Sequence, residues 1–237
     1  MLLIFSKLKV TKLLIGLLFS LAMNLILIYF IRDKIANKYK QYFCEIPYNP
    51  KSRPDYWCIQ GWNNTLKKMD INCDVCFFGH SIIYGSDFRK YFPDKSIINL
   101  GYPGDNVDGM MLRVPQIGYV HPKKVFLMCG SNSLKMDDKY FYYAYSNLVD
   151  SIKNQIPSKE LILLNIIPMR DHEKNVIIRR RNKFLEKFAR ENNIQYVNLY
   201  KLYVDNKGNL IDSLTIDGVH LKEFAYGRWA DAIKEFM

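Results

Sequence analysis

The sequence predicts a three-layer α/β fold in which a parallel five-stranded sheet lies between helices. Short apolar runs alternate with helix-like segments from residue 73 to the end of the chain. Repeated strand–helix alternation of this kind makes the strands parallel and places helices on both faces of the sheet. With 237 residues, 49% of them hydrophobic, the chain is long enough to bury the core of one such domain.

The predicted strands and helices follow one another in a regular order. Strands are predicted at residues 73–78, 96–100, 125–129, 161–166 and 194–199, and helices at 110–117, 141–156, 176–191 and 222–236. Pro115 weakens the first of these helices, because a proline inside a helix removes a hydrogen bond. Ligands of parallel sheets bind beyond the carboxyl ends of the strands. The residues that follow each strand are therefore the first candidates for function.

An apolar stretch near the start of the chain predicts a membrane anchor. Residues 13–31, at ~1.5 Å per residue, are long enough to cross a bilayer core of ~30 Å. Charged residues follow this stretch at 32–34, where a cleavable signal peptide would have small residues. The predicted organisation is a basic tail at 1–12, a transmembrane signal anchor at 13–31, a connector at 32–72 that packs on the domain or leads into it, and a globular domain at 73–237. This layout favours a globular domain on the exported, periplasmic or extracellular side, although the flanking charges do not decide the orientation.

The distribution of positive charge argues against a nucleic-acid-binding protein. The formal net charge is +11, but seven basic residues and only one acidic residue lie within residues 1–40, around the predicted anchor. The remaining positive charge is spread along the chain. One compact basic run, Arg179-Arg180-Arg181, lies in a helical pattern and predicts a solvated helix face.

The five cysteines predict thiols rather than a metal site. Cys73 and Cys76 fall in a predicted strand, where residues three apart point to opposite faces, so buried thiols are favoured over a redox pair. Cys44 and Cys58 could form a disulfide if the domain is exported, and this alternative stays open. No cysteine and histidine cluster has the spacing of a zinc site.

Three side chains have the composition of an acyl-transfer site. Ser81 directly follows the first predicted strand, and Asp217 precedes His220 by three residues just before the last predicted helix. A histidine can accept the proton of a serine hydroxyl while an aspartate orients the imidazole ring. The ordinary alternatives are a helix N-cap for the serine and a turn for the aspartate.

Two further segments contain groups that could stabilise a negatively charged oxygen. Gly101 follows the second strand, and Asn132 follows the third in Gly130-Ser131-Asn132. The Gly101 N–H and the Asn132 side-chain amide could donate to a developing oxyanion, as could the Ser81 N–H at the start of a helix. A loop glycine and a turn asparagine are the structural alternatives.

The four segments together resemble the SGNH (GDSL-type) hydrolases, serine esterases with a flavodoxin-like α/β/α fold. Gly79-His80-Ser81, Gly101 after Asn99-Leu100, Gly130-Ser131-Asn132 and Asp217-Gly218-Val219-His220 are similar to the four sequence blocks of that superfamily. The resemblance implies Ser81 as nucleophile, His220 as base and Asp217 as orienting acid. It also implies an oxyanion hole of Ser81, Gly101 and Asn132, and a reaction that needs no metal or organic cofactor. It covers residues 73–237, with a lead-in from Tyr56, and is strongest to membrane-anchored or secreted bacterial members.

Two residues depart from the block patterns. His80 stands where the first block usually has aspartate, and Ser133 where the third block commonly has aspartate. His80 is not favoured as the base, because a residue adjacent to Ser81 in the chain is poorly placed to face its hydroxyl. A polar segment after the fourth strand, Arg170-Asp171-His172, could line a pocket, although an exposed loop is the simpler interpretation.

The resemblance favours hydrolysis of a carboxylic ester, with a small acyl group removed from a carbohydrate or cell-envelope molecule. A lipid or lysophospholipid esterase and an acyltransferase using the same residues are alternatives. A non-catalytic, membrane-tethered glycan-binding module is an alternative of another class. The expected partners are the ester substrate and, through residues 13–31, a membrane, with no nucleic acid.

Overall fold

A sheet of five parallel strands forms the centre of the protein. The computed structural model describes residues 20, 21, 23, 24, 54–157 and 160–237. The strands are β1 (Cys73–Gly79), β2 (Ile97–Gly101), β3 (Pro122–Met128), β4 (Glu160–Leu164) and β5 (Gln195–Val197). Their order across the sheet is β2-β1-β3-β4-β5, and every neighbouring pair is parallel. The prediction of a parallel five-stranded sheet is confirmed.

Helices cover both faces of this sheet. They are α1 (Tyr56–Met69), α2 (Ser81–Tyr84), α3 (Val107–Tyr119), α4 (Asp138–Gln155), α5 (His172–Glu191), α6 (Tyr200–Tyr203) and α7 (Tyr226–Ile233). Residues of α3, α4 and α5 form one buried cluster with one face of the strands, and residues of α2, α6 and α7 form a second cluster with the other face. The alternation along β1 shows this division, since Phe78 belongs to the first cluster and Phe77 to the second. The three layers agree with the predicted fold.

The element boundaries differ from prediction where polar residues take part in regular structure. β3 begins at Pro122 rather than at residue 125, because Pro122 pairs with Cys73 at the start of β1. α3 extends through Pro115 to Tyr119, and it begins earlier because the Asn106 side chain accepts a hydrogen bond from the Gly109 N–H. The final predicted helix is an α-helix only at Tyr226–Ile233, with 3₁₀ turns at Glu223–Ala225 and Lys234–Phe236.

Helix α1 belongs to the same compact unit as the sheet. The connector predicted at 32–72 was expected to pack on the domain or lead into it, and the unit that contains the sheet begins within it and spans Pro54–Met237. Ile59 and Leu66 of α1 are buried, and the Gln116 side chain of α3 donates to Asn63 Oδ1 over 2.7 Å. The boundary of the folded domain therefore lies before α1.

Several predictions concern residues that the structure does not describe. The tail at 1–12 lies outside the described residues, as does the span at 13–31 apart from four positions. No helix of the described residues is long and apolar enough to cross a bilayer. Cys44 also lies outside them, while Cys58 has a free, exposed thiol, so a pairing of the two stays a prediction.

The buried position of Arg181 corrects the interpretation of the basic run as solvated. Its side chain is fully buried on the core face of α5, in line with Ile178 and Leu185. The guanidinium donates to the carbonyl oxygens of Ser133 over 2.8 Å and Met136 over 2.7 Å. The prediction of a solvated face is therefore wrong for Arg181, which instead holds the chain that follows β3.

Candidate active site

A chain of hydrogen bonds joins three of the predicted site residues. The Ser81 hydroxyl lies 2.9 Å from His220 Nε2, and His220 Nδ1 lies 2.7 Å from Asp217 Oδ2. With the Nδ1 hydrogen donated to the carboxylate, Nε2 is left to accept the serine proton. The geometry is that of a nucleophile, a base and an orienting acid.

The local backbone at the end of β1 places Ser81 at this point. Ser81 is the first residue of α2, so its own N–H has no partner within the helix. Gly79 allows the close approach of α2, since a Cβ atom there would lie 2.5 Å from Ile83 Cγ1 and 2.8 Å from the Met128 oxygen. The serine thereby lies, partly buried, beyond the carboxyl end of β1.

A tight loop fixes the carboxylate of Asp217 against the imidazole. Asp217 Oδ1 accepts the N–H groups of Val219 over 2.9 Å and His220 over 2.8 Å. The backbone hydrogen bond from His220, followed by the bond from its ring, lowers the pKa of Asp217 to about 2. The carboxylate is ionised at neutral pH and available to the histidine.

The polar segment at residues 170–172, after the fourth strand, supports this loop. The Arg170 N–H donates to the Gly218 carbonyl over 2.8 Å, and its guanidinium donates to Asp212 over 2.7 Å. Asp171 caps α5, of which His172 is the first residue. All three residues are exposed, as the simpler interpretation of this segment predicts, and none of them lines the pocket that contains Ser81.

Asn132 lies in the 3₁₀ turn Ser131–Ser133 that follows β3, on a loop held by buried polar groups. Its side-chain nitrogen donates one hydrogen to the Asp105 carbonyl over 2.9 Å, and its second hydrogen is available to a ligand. Ser133 accepts the Val107 N–H over 3.1 Å, and the Ser133 carbonyl receives the Arg181 guanidinium. Ser133 therefore takes part in fixing the loop although it departs from the family pattern.

The Gly101 amide is committed to another partner. Its N–H donates to Asn99 Oδ1 over 2.8 Å, so it is not directed at the site. A Cβ atom at Gly101 would lie 2.2 Å from the Tyr84 backbone nitrogen, so glycine is required here for the packing of α2 on β2. The structure does not bring the Gly101 N–H together with the other predicted donors.

Gly104 carries the amide of this loop that is left without a partner. The Tyr102 N–H donates to the Gly79 carbonyl, the Asp105 N–H donates to Tyr102, and Pro103 has no N–H. Within the described part of the chain no acceptor faces the Gly104 N–H, and this exposed glycine has a φ of +74°. The sequence signal for the Gly104 amide is the Pro103-Gly104 turn, whose glycine lies three residues after Gly101 in the same segment.

Comparison with known proteins identifies the family. The sequence profile of the GDSL-like lipase/acylhydrolase family matches residues 60–228. The chain belongs to this family. It is an ester-hydrolysing enzyme, as the sequence resemblance predicted, and the non-catalytic interpretation is set aside.

Solved structures agree with the fold of this GDSL-like hydrolase. It resembles a GDSL-like lipase from Bacteroides thetaiotaomicron, at 21% identity and a TM-score of 0.66, over 77% of this chain and 96% of that one. It also resembles a lipase/acylhydrolase from Enterococcus faecalis, at 18% identity and a TM-score of 0.58, over 70% and 94% of the two chains. An acetyl xylan esterase from Geobacillus stearothermophilus aligns at 18% identity and a TM-score of 0.57, over 70% and 96%. No functionally curated protein shows significant similarity to the chain.

The histidine beside Ser81 of this GDSL-like hydrolase is buried and neutral. His80 is fully buried, and its Nδ1 accepts the Ile82 N–H over 3.4 Å, which places the ring hydrogen on Nε2. Burial, assisted by the nearby His220, lowers the pKa of His80 to about 3. The ring caps α2, and within the described residues it makes no hydrogen bond to the Ser81 hydroxyl.

We expect the free energy of unfolding of His80→Asn to fall less than that of wild type when the pH is lowered. The folded-state pKa of His80 lies below the ordinary value of 6.5, so the unfolded chain binds the proton first. The stability that neutral His80 contributes is fully present above pH ~6.5. It is lost as the pH falls towards ~3, at up to ~1.4 kcal/mol per pH unit. Urea unfolding at pH 7.5, 6 and 5 should give a flatter profile for His80→Asn, which can still cap α2.

The control for this measurement is His121→Asn, at an exposed histidine whose positive φ asparagine tolerates. This variant should keep the wild-type profile. Parallel profiles for wild type and His80→Asn between pH 6.5 and 5 would contradict the assignment of a buried, neutral His80.

An open cleft of about 560 Å³ leads to the Ser81 hydroxyl. Ser81, His220 and Leu221 line it, as does Tyr226, whose hydroxyl donates to the Ile82 carbonyl over 2.8 Å. Pro103, next to the unpartnered Gly104 amide, lines the same cleft. A volume of this size is within the range of small-molecule sites.

Proposed function

We propose that this hydrolase cleaves a carboxylic ester through an acyl-enzyme on Ser81, releasing a small acyl group from a carbohydrate or other cell-envelope molecule. The observation that carries the proposal is the continuous hydrogen-bonded chain from Asp217 through His220 to the Ser81 hydroxyl. Ser81 and His220 line a cleft that is open to solvent and accessible to an ester.

The reaction follows from the proton positions. Ser81 Oγ attacks the ester carbonyl while His220 Nε2 accepts its proton, and the resulting imidazolium is stabilised by the Asp217 carboxylate. His220 then gives the proton to the departing alkoxide, which leaves the acyl group on Ser81. Water, deprotonated by His220, attacks the acyl-enzyme and releases the carboxylic acid and the free serine.

Three groups are proposed to stabilise the tetrahedral oxyanion. The Ser81 N–H at the start of α2 and the second hydrogen of the Asn132 amide are two of them. The Gly104 N–H replaces Gly101 as the third, because the Gly101 N–H is donated to Asn99. Donors fixed in place before the reaction stabilise developing charge without reorganisation.

Covalent trapping tests this proposal directly. The full-length protein is incubated with a p-nitrophenyl alkylphosphonate, which loses p-nitrophenolate when a serine oxygen bonds to its phosphorus, and the labelled peptide is identified by mass spectrometry. We expect one label, on Ser81, and parallel loss of p-nitrophenyl acetate hydrolysis. Labelling of a different serine, or hydrolysis that survives complete labelling, would exclude Ser81 as the nucleophile.

A lipid ester is the second candidate, and an apolar groove next to the cleft favours it. The groove, about 650 Å³ in volume, lies between α1 and the edge strand β2, where Trp62, Met69 and Ile98 line it. Tyr84 and Asp87 line both the groove and the cleft. The test is the rate of p-nitrophenyl ester hydrolysis as the acyl chain lengthens from acetate to decanoate. If the rate rises with chain length and Trp62→Ala removes the rise, the results favour a lipid ester over a small acyl group.

A further inference from the structure

Two exposed tyrosines stand on the walls of the cleft outside the reacting groups. Tyr84 is 63% exposed and Tyr91 is 38% exposed, although both are large and largely apolar. Tyr84 is anchored through its backbone, which packs against Gly101, and the Tyr91 ring packs near Gly227 and Phe88. Aromatic rings that are held at their base and left exposed beside a site offer a flat contact surface for a ligand.

Charged side chains surround the same part of the cleft. Asp87, Lys90 and Glu223 line it, and Lys90 forms an ion pair with Glu223. This pair joins the 3₁₀ turns Phe88–Lys90 and Glu223–Ala225, which come from distant parts of the chain. The carboxylates accept hydrogen bonds and the ammonium group donates them, so the cleft offers both to a polar ligand.

We propose that the part of the cleft lined by the two tyrosines and these three charged side chains is a saccharide subsite that binds the alcohol portion of the substrate. A pyranose ring has apolar C–H faces, which match a tyrosine ring, and hydroxyl groups around its edge, which match the carboxylates and the ammonium group. A hydrocarbon chain in the same place would remove three charged side chains from water without giving them hydrogen bonds, which is unfavourable. The position of the subsite beside Ser81 rests on the proposed function, and it identifies the substrate as an acylated glycan.

Binding that does not depend on the reaction is the first test. Chitohexaose, cellohexaose and xylohexaose are titrated into full-length Ser81→Ala protein by isothermal titration calorimetry. We expect at least one of them to bind, and Tyr84→Ala with Tyr91→Ala in this background to raise its Kd by about tenfold or more. Tyr143→Ala is the matched control, because Tyr143 is 68% exposed on α4 and does not line the cleft.

Kinetics separate the subsite from the reacting groups. For the chemically O-acetylated form of the hexaose that binds, the two tyrosine changes should raise KM about tenfold and leave kcat within about twofold. For methyl acetate, whose alcohol portion is a single carbon with no ring to contact the tyrosines, kcat/KM should stay within about twofold of wild type. Equal losses on both substrates would show general damage to the site and would overturn the subsite.

The two proposals fail in different ways. If none of the three hexaoses binds Ser81→Ala protein, or if the tyrosine changes leave the Kd unaltered, the subsite is refuted even when p-nitrophenyl acetate is hydrolysed. If none of these esters is hydrolysed in a Ser81-dependent manner, the proposed reaction fails, while hexaose binding that needs Tyr84 and Tyr91 still supports the subsite.

Discussion

His220→Ala will lower kcat for p-nitrophenyl acetate by at least about 10³-fold, and Ser81→Ala added to it will lower the rate little further. The serine proton has its acceptor in His220 Nε2, 2.9 Å from the hydroxyl, so loss of the ring leaves the nucleophile unactivated. Because the two residues act as a unit, their losses do not add. Asp217→Asn, which keeps the shape but removes the ionised acceptor of Nδ1–H, should cost about 10²–10⁴-fold.

A second histidine–aspartate pair in the same chain provides the control. His121 Nε2 lies 3.2 Å from Asp70 Oδ1 at the surface, away from the cleft. His121→Ala should leave kcat unchanged. Steady-state kinetics of wild type and the four variants decide the matter, and a His220→Ala enzyme within tenfold of wild type would rule out His220 as the base.

Arg113→Met will lower the free energy of unfolding by about 3–5 kcal/mol, the largest effect on stability that the structure predicts. The Arg113 guanidinium is buried and pairs with buried Asp105 over 2.7 Å. It also donates to the Gly79 carbonyl over 2.9 Å and the Leu100 carbonyl over 2.8 Å, at the ends of β1 and β2. Removal of the arginine leaves a buried carboxylate and two carbonyl groups without these donors, which is costly.

The ion pair of Arg89 with Asp87 tests whether burial is the cause. Its two atoms are 2.8 Å apart, but the side chains are 71% and 40% exposed. Arg89→Met should change the free energy of unfolding by less than about 1 kcal/mol, because solvent screens an exposed pair. Urea unfolding of both variants measures the difference, and similar losses in the two would contradict the explanation by burial.

The family profile and the sequence blocks do not predict which buried polar side chains hold the loops around the site in place. The sequence pattern predicts a solvated helix face for Arg181 and does not single out Arg113, yet each is buried and holds backbone groups at the carboxyl edge of the sheet. Charge in a helical pattern does not reveal which face is turned inward when an arginine occupies a core position. Gly101 shows the same limit, because a motif cannot tell a glycine needed for packing from a glycine whose amide is available.

The sequence by itself determined the class of fold, the family and the identity of Ser81, Asp217 and His220 as the candidate reacting groups. Apolar periodicity is a local property, and the order of strands and helices limits a parallel sheet to few arrangements. Short motifs next to strand ends also lie within the reach of local inference, because the carboxyl ends of parallel strands meet at one edge.

Only the tertiary structure decided which groups face one another across that edge. It brought Ser81 within 2.9 Å of His220 over a separation of 139 residues, turned the Gly101 amide away and left the Gly104 amide available. It also placed Tyr84 and Tyr91 on the walls of the same cleft as Glu223, which no spacing in the chain indicates. Distances between residues far apart in the chain depend on how the layers pack, and hydrogen bonds form or fail within a few tenths of an ångström.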